Sequence, residues 1–127
     1  MERFFWICLA GALGTGTRYL VGLWALSRFG PEFPYGTLFV NVAGCFLMAV
    51  VMQLSISLVA FPPNLRFALT TGFMGGLTTY SSFNYETTRL VAQGARNAAL
   101  ANLALTLLLC AGAGLLGFWL THRLLGS

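Results

Sequence analysis

The sequence predicts an all-α membrane protein: four transmembrane helices, the third of them broken, in a dual-topology antiparallel homodimer. The first observation behind this prediction is composition. Of the 127 residues, 57% are hydrophobic and only 8% are charged, and the mean hydropathy is +0.79, whereas a soluble domain carries about 25% charged residues. At about 20 apolar residues per spanning helix, the chain holds four crossings and little else. A separate soluble catalytic domain is therefore excluded.

Proline, arginine and glycine residues divide the chain into four spans of a single transmembrane domain, residues 1–127. We place the spans at residues 4–26, 35–60, 67–91 and 98–120. The first span begins behind Arg3 in the manner of a signal peptide. Further apolar segments follow it instead of a soluble mature domain, so we expect it to be a true span. The short connections predict that consecutive helices are antiparallel neighbours.

The distribution of the charged residues is the second observation. All seven basic residues are arginines, and they are scattered singly instead of forming a basic stripe, which favours membrane-end anchors and no nucleic-acid partner. With Arg18 left out because it falls well within a span, one side of the bilayer would hold Arg3, Arg66 and Arg123, and the other would hold Arg28, Arg89 and Arg96. This balance gives no preferred orientation, so two oppositely oriented copies would pair about an axis in the membrane plane. The alternative is a topology fixed by the first helix or by cellular factors.

The composition of the third span is the third observation. Two adjacent glycines, Gly75 and Gly76, precede four Thr and Ser residues within five positions, at what should be mid-bilayer depth. These residues weaken helix propensity, so we predict a break between Gly75 and Thr79. A break on the dimer axis would offer two carbonyl oxygens from each copy to a weakly charged cation such as sodium. The alternative is a continuous helix whose hydroxyl groups bond to carbonyls of the preceding turn.

Polar and aromatic residues inside the spans favour an anion path. Amide, hydroxyl and guanidinium donors are available from Asn41, Thr106, Arg18, Asn102, Thr15 and Thr17. Tyr80 and Phe83 are three residues apart and share a helical face after the break, where their positive ring edges can approach an anion. Taken singly, each polar residue is also explained by a hydrogen bond that holds helices together, and each ring by core packing.

The glycine clusters and the cysteines are interpreted as packing residues. The clusters that permit close helix approach in lipid are Gly11-x-x-Gly14, Gly72-x-x-Gly75-Gly76 and Gly112-x-Gly114-x-x-Gly117. The three cysteines are odd in number, far apart in sequence and each inside an apolar run: Cys8, Cys45 and Cys110. This spacing fits neither a disulfide framework nor a set of metal ligands. We expect small buried side chains.

Three stretches of the sequence form motifs. Residues 36–41 have the form G-T-x-x-x-N, Gly14 and Arg18 form G-x-x-x-R, and residues 71–86 read TGFMGGLTTYSSFNYE. These motifs resemble signatures of the Fluc (CrcB) family of bacterial fluoride channels. The G-T-x-x-x-N motif resembles that of its second helix, G-x-x-x-R that of its first helix, and residues 71–86 that of its third helix. The resemblance covers the whole chain in length and helix count. The chain differs from the family pattern at three positions. Tyr80 stands where the family has Phe, Asn84 where it has Ser, and Cys110 where Ser is common.

The resemblance implies a dual-topology dimer of four-helix subunits that encloses two narrow pores, with a structural sodium ion (Na+) at its centre. It implies that the main-chain carbonyls of Gly75 and Thr78 bind this sodium. The implied fluoride path consists of Asn41, Tyr80, Phe83, Ser81, Ser82 and Thr106. We expect a structural or vestibule role for Arg18, with a snorkelling anchor as the alternative. Glu86 is expected to pair with Arg89 or to be a buried helix-packing group.

The function that the resemblance implies is passive export of fluoride from the cytoplasm across the bacterial inner membrane, which reduces fluoride toxicity. No catalytic set accompanies His122, the only histidine, so an enzyme is not expected. Two alternatives stay open. A small dual-topology, proton-coupled drug exporter needs a carboxylate in its transport path, and only Glu86 would serve, because Glu2 and Glu32 lie outside the spans. A non-transporting membrane scaffold would need no ion path.

Overall fold

The computed structural model describes residues 1–126. In chain order, its elements are α1 (Glu2–Phe29), α2 (Tyr35–Ser57), α3 (Pro63–Phe67), a π-helical segment (Ala68–Met74), α4 (Gly75–Leu77), α5 (Tyr80–Ala92) and α6 (Arg96–Leu125). Residues 1–126 contain no strand, so the all-α prediction is confirmed. The stretch from α3 to α5, residues 63–92, is called the broken segment below.

Three helices, α1, α2 and α6, are each long and apolar enough to cross a membrane. Many of their large apolar side chains are exposed. On α6, for example, Leu107, Leu108 and Leu115 are 63%, 72% and 71% exposed. A soluble monomer rarely exposes continuous apolar surface of this kind, whereas lipid solvates it. The chain is therefore a multi-pass membrane protein.

The helix boundaries differ from the predicted spans for identifiable reasons. Helices α1 and α6 extend beyond residues 4–26 and 98–120 and include arginines at their ends, because an arginine side chain can reach out of the apolar layer while its backbone stays helical. Helix α2 ends at Ser57 instead of residue 60, since Leu58 is extended (φ −101°, ψ 109°). The predicted span 67–91 corresponds to most of the broken segment.

The two halves of the broken segment pack against different helices. The π-helical segment and α4 lie along α1, whereas α5 packs on α6. Helices α1 and α2 are neighbours, as predicted for consecutive helices, but the most extensive contact joins α2 to α6, which are not consecutive. Gly114 faces Cys45 and Gly117 faces Phe46, so the contacts advance in the same direction along α2 and α6. These two helices run parallel.

Glycines bring α1 against the first half of the broken segment. A Cβ atom at Gly72 would stand 2.7 Å from the Ile7 carbonyl oxygen. At Gly14 and Gly76, a Cβ atom would collide with the carbonyl oxygens of Phe73 and Gly11 respectively. The predicted packing role is confirmed at these positions. Within the single chain, nothing lies within 4 Å of a Cβ added at Gly75 or Gly112, so these two glycines do not pack against its other helices.

Candidate ion pathway

The helix break lies at Thr78 and Thr79, at the end of the predicted range. Thr78 has φ −86° and ψ 152°, and Thr79 has φ −152° and ψ 117°, so both residues are extended. Helix α4 ends before them and α5 begins after them. The alternative of a continuous helix is therefore wrong. The sequence did not predict the π-helical segment that precedes α4; single π-helical turns frequently accompany functional sites.

Asn41 bonds to both backbone groups of Thr79 at the break. Its Oδ1 accepts from the Thr79 backbone N–H at 2.8 Å, and its Nδ2 donates to the Thr79 carbonyl at 3.1 Å. Asn41 is buried, with 8% of its surface exposed. A primary amide carries two N–H donors, so one of them is left for another acceptor. An amide is well suited to this position because it pairs with both groups of one peptide residue.

The same hydrogen bond changes the state of the Gly75 carbonyl. In a continuous α-helix, the N–H of residue 79 would bond to the carbonyl of residue 75. Here it donates to Asn41 instead, so the Gly75 carbonyl loses its helical partner. Gly75 is exposed, and no neighbour would contact an added Cβ. Thr78, the second predicted sodium ligand, is half-buried, and its methyl group packs against Gly44.

Three hydroxyl groups begin helix α5. The Thr79 hydroxyl accepts from the Ser82 backbone N–H at 3.2 Å, which is an N-cap bond. It also lies 3.2 Å from the Ser81 hydroxyl and donates to the Ser82 hydroxyl at 3.1 Å. Because Ser82 Oγ is the acceptor in the latter bond, its own proton is left for a further acceptor. Ser81 and Ser82, predicted in the ion path, thus stabilise the break.

A groove of about 900 Å³ runs between α2 and α6 and ends at the break. Of the predicted site residues, those that line it are Asn41, Thr78, Tyr80, Phe83 and Thr106. The remaining predicted site residues are absent from its lining: Gly75, Ser81, Ser82, Arg18 and Glu86. The structure therefore brings most of the predicted fluoride path to one surface and places the two serines beside it.

The groove is lined in tiers. Asn41 and Thr106 form a polar tier, one on each helix. One helical turn further, Cys45 and Cys110 form a thiol tier, because residues four apart share a helical face. None of the residues that line the groove is acidic. The polar groups in the groove are therefore amide, hydroxyl and thiol groups in an otherwise apolar wall.

The two aromatic side chains at the break meet edge to face. The ring centroids of Tyr80 and Phe83 are 5.7 Å apart, with an interplanar angle of 67°. Phe83 is buried at 5% exposure, whereas Tyr80 is 78% exposed. The predicted pair is thus formed, and the ring of Tyr80 extends away from the single chain.

A buried hydrogen-bond chain positions Thr106, and sequence reasoning gave it little weight. Asn102, which is 1% exposed, donates to the Thr87 hydroxyl at 2.8 Å, and Thr87 donates to the Phe83 carbonyl at 2.8 Å. The Thr106 hydroxyl donates to Asn102 Oδ1 at 3.5 Å, which is a long bond. The spacing of Asn102 four residues before Thr106 on one face was the available signal. The chain ties α5 to α6 beside the groove.

Glu86 and Arg18 lie apart from the groove. Glu86 Oε1 accepts a hydrogen bond from the Thr37 hydroxyl at 2.8 Å. The predicted pairing with Arg89 is wrong as a salt bridge, because the carboxylate bonds to α2 and is half-buried there; Glu86 acts as a helix-packing group. Arg18 is half-buried in the middle of α1, with a buried Nε atom that has no hydrogen-bond partner among the described residues.

Comparison with known proteins identifies the family to which this arrangement belongs. A family profile described as CrcB-like protein, Camphor Resistance (CrcB), matches residues 5–118. The chain belongs to the CrcB family. The family predicted from the sequence motifs is therefore confirmed.

Curated relatives match over nearly the whole chain. A protein of Sorangium cellulosum named "Fluoride-specific ion channel FluC" is 51% identical over 127 residues, which cover 100% of both chains. A protein of the same name from Anaeromyxobacter dehalogenans is 53% identical over 126 residues, which cover 99% of this chain and 100% of the relative. The relatives are named as ion channels, so the prediction that this chain is not an enzyme is confirmed.

Proposed function

We propose that this protein is a fluoride-selective passive channel that lets fluoride leave the cytoplasm and so reduces its toxicity. The observation that carries the proposal is the groove at the helix break, which is lined by Asn41, Thr106 and the Tyr80–Phe83 pair and by no acidic residue. The names of the CrcB relatives support the choice of fluoride over other anions.

Fluoride is small and strongly hydrated, so a selective path must replace its water with close donors. The second N–H of Asn41 is one such donor, and the unused proton of Ser82 is another. The Thr106 hydroxyl donates to Asn102 over 3.5 Å, a long bond that an arriving anion can replace. The positive ring edges of Tyr80 and Phe83 add attraction without a formal charge. A narrow path of this kind excludes chloride by size.

A second copy of the chain, inserted in the opposite direction, completes the path. The broken segment exposes polar groups where a lipid-facing surface should be apolar. These exposed residues are Thr71, Gly75, Tyr80, Ser81 and Asn84. A partner copy that covers this face removes the polar groups from lipid and encloses each groove. We expect all four hydrophobic stretches, the broken segment included, to cross the bacterial inner membrane.

A structural sodium ion at the dimer centre would bind the carbonyls of Gly75 and Thr78 from both copies. The residues fit such an ion because the Gly75 carbonyl has lost its helical partner and Gly75 is exposed on the face that the second copy would cover. Main-chain carbonyls without a carboxylate suit a monovalent cation. When bound, the ion would supply a positive charge that holds the two breaks together. If so, sodium will raise the melting temperature of the purified dimer above that in choline, and equal values would contradict the site.

Fluoride efflux from liposomes tests the proposed function. Vesicles that contain the reconstituted protein are loaded with fluoride, and its release is followed with a fluoride electrode; matched vesicles are loaded with chloride. We expect rapid fluoride release, no chloride release, and no dependence on a proton gradient. Absence of fluoride release from well-folded protein would contradict the proposal and favour a scaffold. Release that requires an imposed proton gradient would favour a coupled exporter.

A further inference from the structure

The thiol tier of the groove brings together two cysteines that are 65 positions apart in the sequence. Cys45 lies on α2 and Cys110 on α6, and both line the groove. The two helices that carry them form the most extensive helix–helix contact of the described residues. The backbones of α2 and α6 are close beside the two thiols, because the Cys45 carbonyl oxygen lies 3.9 Å from a Cβ placed at Gly114, one turn beyond Cys110. All three cysteines of the chain are free thiols.

We propose that Cys45 and Cys110 form a dithiol site for a soft divalent metal ion of the Hg²⁺ class. Thiolate is the preferred ligand of soft ions. The described residues offer no group of three or more His, Cys, Asp or Glu side chains, so the site supplies two ligands. Zinc requires four ligands, which this site does not provide, whereas Hg²⁺ is satisfied by two thiolates in a linear arrangement.

Charge balance favours a divalent ion over a monovalent one. On binding, each thiol loses its proton to the solvent, two S–metal bonds form, and the two thiolate charges cancel the charge of the ion. The product is neutral, which suits an apolar groove wall. A monovalent ion such as Cu⁺ would leave one uncompensated negative charge there, at a large desolvation cost. The site is therefore selective for charge as well as for softness.

The position of the site gives it a consequence for transport, which rests on the proposed function. The thiol tier lies one helical turn, about 5.4 Å, from the polar tier of Asn41 and Thr106. An ion held between α2 and α6 at that level fills the groove next to the residues that are proposed to bind fluoride. Metal binding would then block the path and fix the distance between the two helices.

Metal retention by matched cysteine variants tests the site without any transport assay. Cys8 lies exposed on α1 and outside the groove lining, so Cys8→Ser serves as the parent that keeps both groove thiols. Reduced parent protein, and the parent carrying Cys45→Ser or Cys110→Ser, are incubated with HgCl₂ and dialysed against an excess of a monothiol. We expect one Hg per chain in the parent and roughly 100-fold less in either double variant, because the second thiol acts at high effective concentration.

Equal retention by the parent and the double variants, or two Hg ions per parent chain, would overturn the proposal. A second measurement needs no substitution at the pair. Phenylarsine oxide condenses with two neighbouring thiols, forming two As–S bonds and releasing one water molecule. The Cys8→Ser protein should gain one such adduct by intact-protein mass spectrometry, and an unmodified mass would contradict the site.

The transport consequence is measured separately. Hg²⁺ should stop fluoride efflux through the Cys8→Ser channel and spare both double variants. If no fluoride moves in any sample while metal is still retained, the proposed function fails and the dithiol site stands. If fluoride moves and metal retention does not require both thiols, the site fails and the proposed function stands.

Discussion

Helix α6 and the broken segment are similar in length, but α6 is one continuous helix and the broken segment is interrupted. Helix α6 is continuous over 30 residues, and 11 of them are leucine. The broken segment contains a π-helical stretch, two short α-helices, an extended dipeptide and a longer helix. A continuous helix satisfies its own backbone and can therefore be apolar on every side. An interrupted helix needs partners from elsewhere, and here Asn41 of α2 provides them.

The two regions differ in where they carry polar groups. In the middle of α6, the buried polar residues Asn102 and Thr106 face α5 and the groove. Around the break, backbone and hydroxyl groups are arranged in one network with Asn41. Polar chemistry is therefore concentrated where the broken segment meets α2 and α6.

The largest difference is expected from one substitution made in both regions. Valine at Gly76 forces its side chain into the Gly11 carbonyl and the Thr15 backbone nitrogen, whereas Gly112 on α6 has open space. We expect Gly76→Val to cost more than about 4 kcal/mol and to prevent folding. Gly112→Val should remain within about 1 kcal/mol of the parent. Thermal unfolding in detergent, followed by circular dichroism, measures both; similar melting temperatures would break the comparison.

A second test removes the partner of the broken backbone. Asn41→Ala leaves the Thr79 N–H without a partner and removes one of the bonds of the Thr79 carbonyl, which also accepts the first bond of α5. An unsatisfied buried group costs about 1–3 kcal/mol. We expect a destabilisation of about 3 kcal/mol in detergent unfolding. Asn97→Ala, at an exposed position near the start of α6, is the matched control and should change stability little. An Asn41→Ala protein as stable as this control would show that water replaces the amide.

The sequence permits prediction of the helix break but not of the hydrogen bonds that stabilise it. Adjacent glycines and a run of hydroxyl residues are local features, so the range Gly75–Thr79 followed directly from the sequence. The bonds from Asn41 to Thr79 join residues 38 apart, and helix periodicity does not specify which residues of two helices meet. The π-helical segment was missed because its residues are also compatible with an α-helix.

The site residues could be predicted from the sequence only in part, because the sequence does not specify which helices pack together. Asn41, Thr106, Tyr80 and Phe83 were recognisable as unusual residues for a membrane helix, and the structure gathers them at one groove. The pairing of Cys45 with Cys110 depends on the parallel packing of α2 and α6, which are not consecutive. Short connections favour consecutive pairs, so the sequence offered no reason to bring these two cysteines together.

A third test compares two buried threonines on α6. Thr106 lines the groove, whereas the Thr121 hydroxyl bonds to the Gly117 carbonyl of its own helix, away from the groove. We expect Thr106→Val to slow fluoride efflux by about tenfold, the value of one neutral hydrogen-bond donor. Thr121→Val should conduct like the parent. Both rates are measured in the liposome assay, and equal slowing would indicate a general packing effect.

The smallest effect is expected at Glu86. Its carboxylate accepts from Thr37 and lies outside the groove lining, and a Gln side chain can accept the same bond. Glu86→Gln should therefore leave fluoride efflux within about twofold of the parent at every pH, a change below about 0.5 kcal/mol. Loss of transport in this variant, together with a requirement for a proton gradient in the parent, would favour the exporter.

The most direct measurement of the central claim, that fluoride passes Asn41 at the break, is fluoride efflux through Asn41→Asp. The Asp carboxylate can still accept from the Thr79 N–H, but it removes the amide donor and places a negative charge in the groove. Repulsion between two charges 4 Å apart is about 4 kcal/mol at an effective dielectric constant of 20.

Asn97→Asp adds the same charge at an exposed position of α6 and serves as the control. We expect Asn41→Asp to remain folded and to lose at least about 100-fold in efflux, a barrier increase of about 2.7 kcal/mol, while Asn97→Asp conducts like the parent. Efflux through folded Asn41→Asp at the rate of the control would contradict a fluoride path past Asn41.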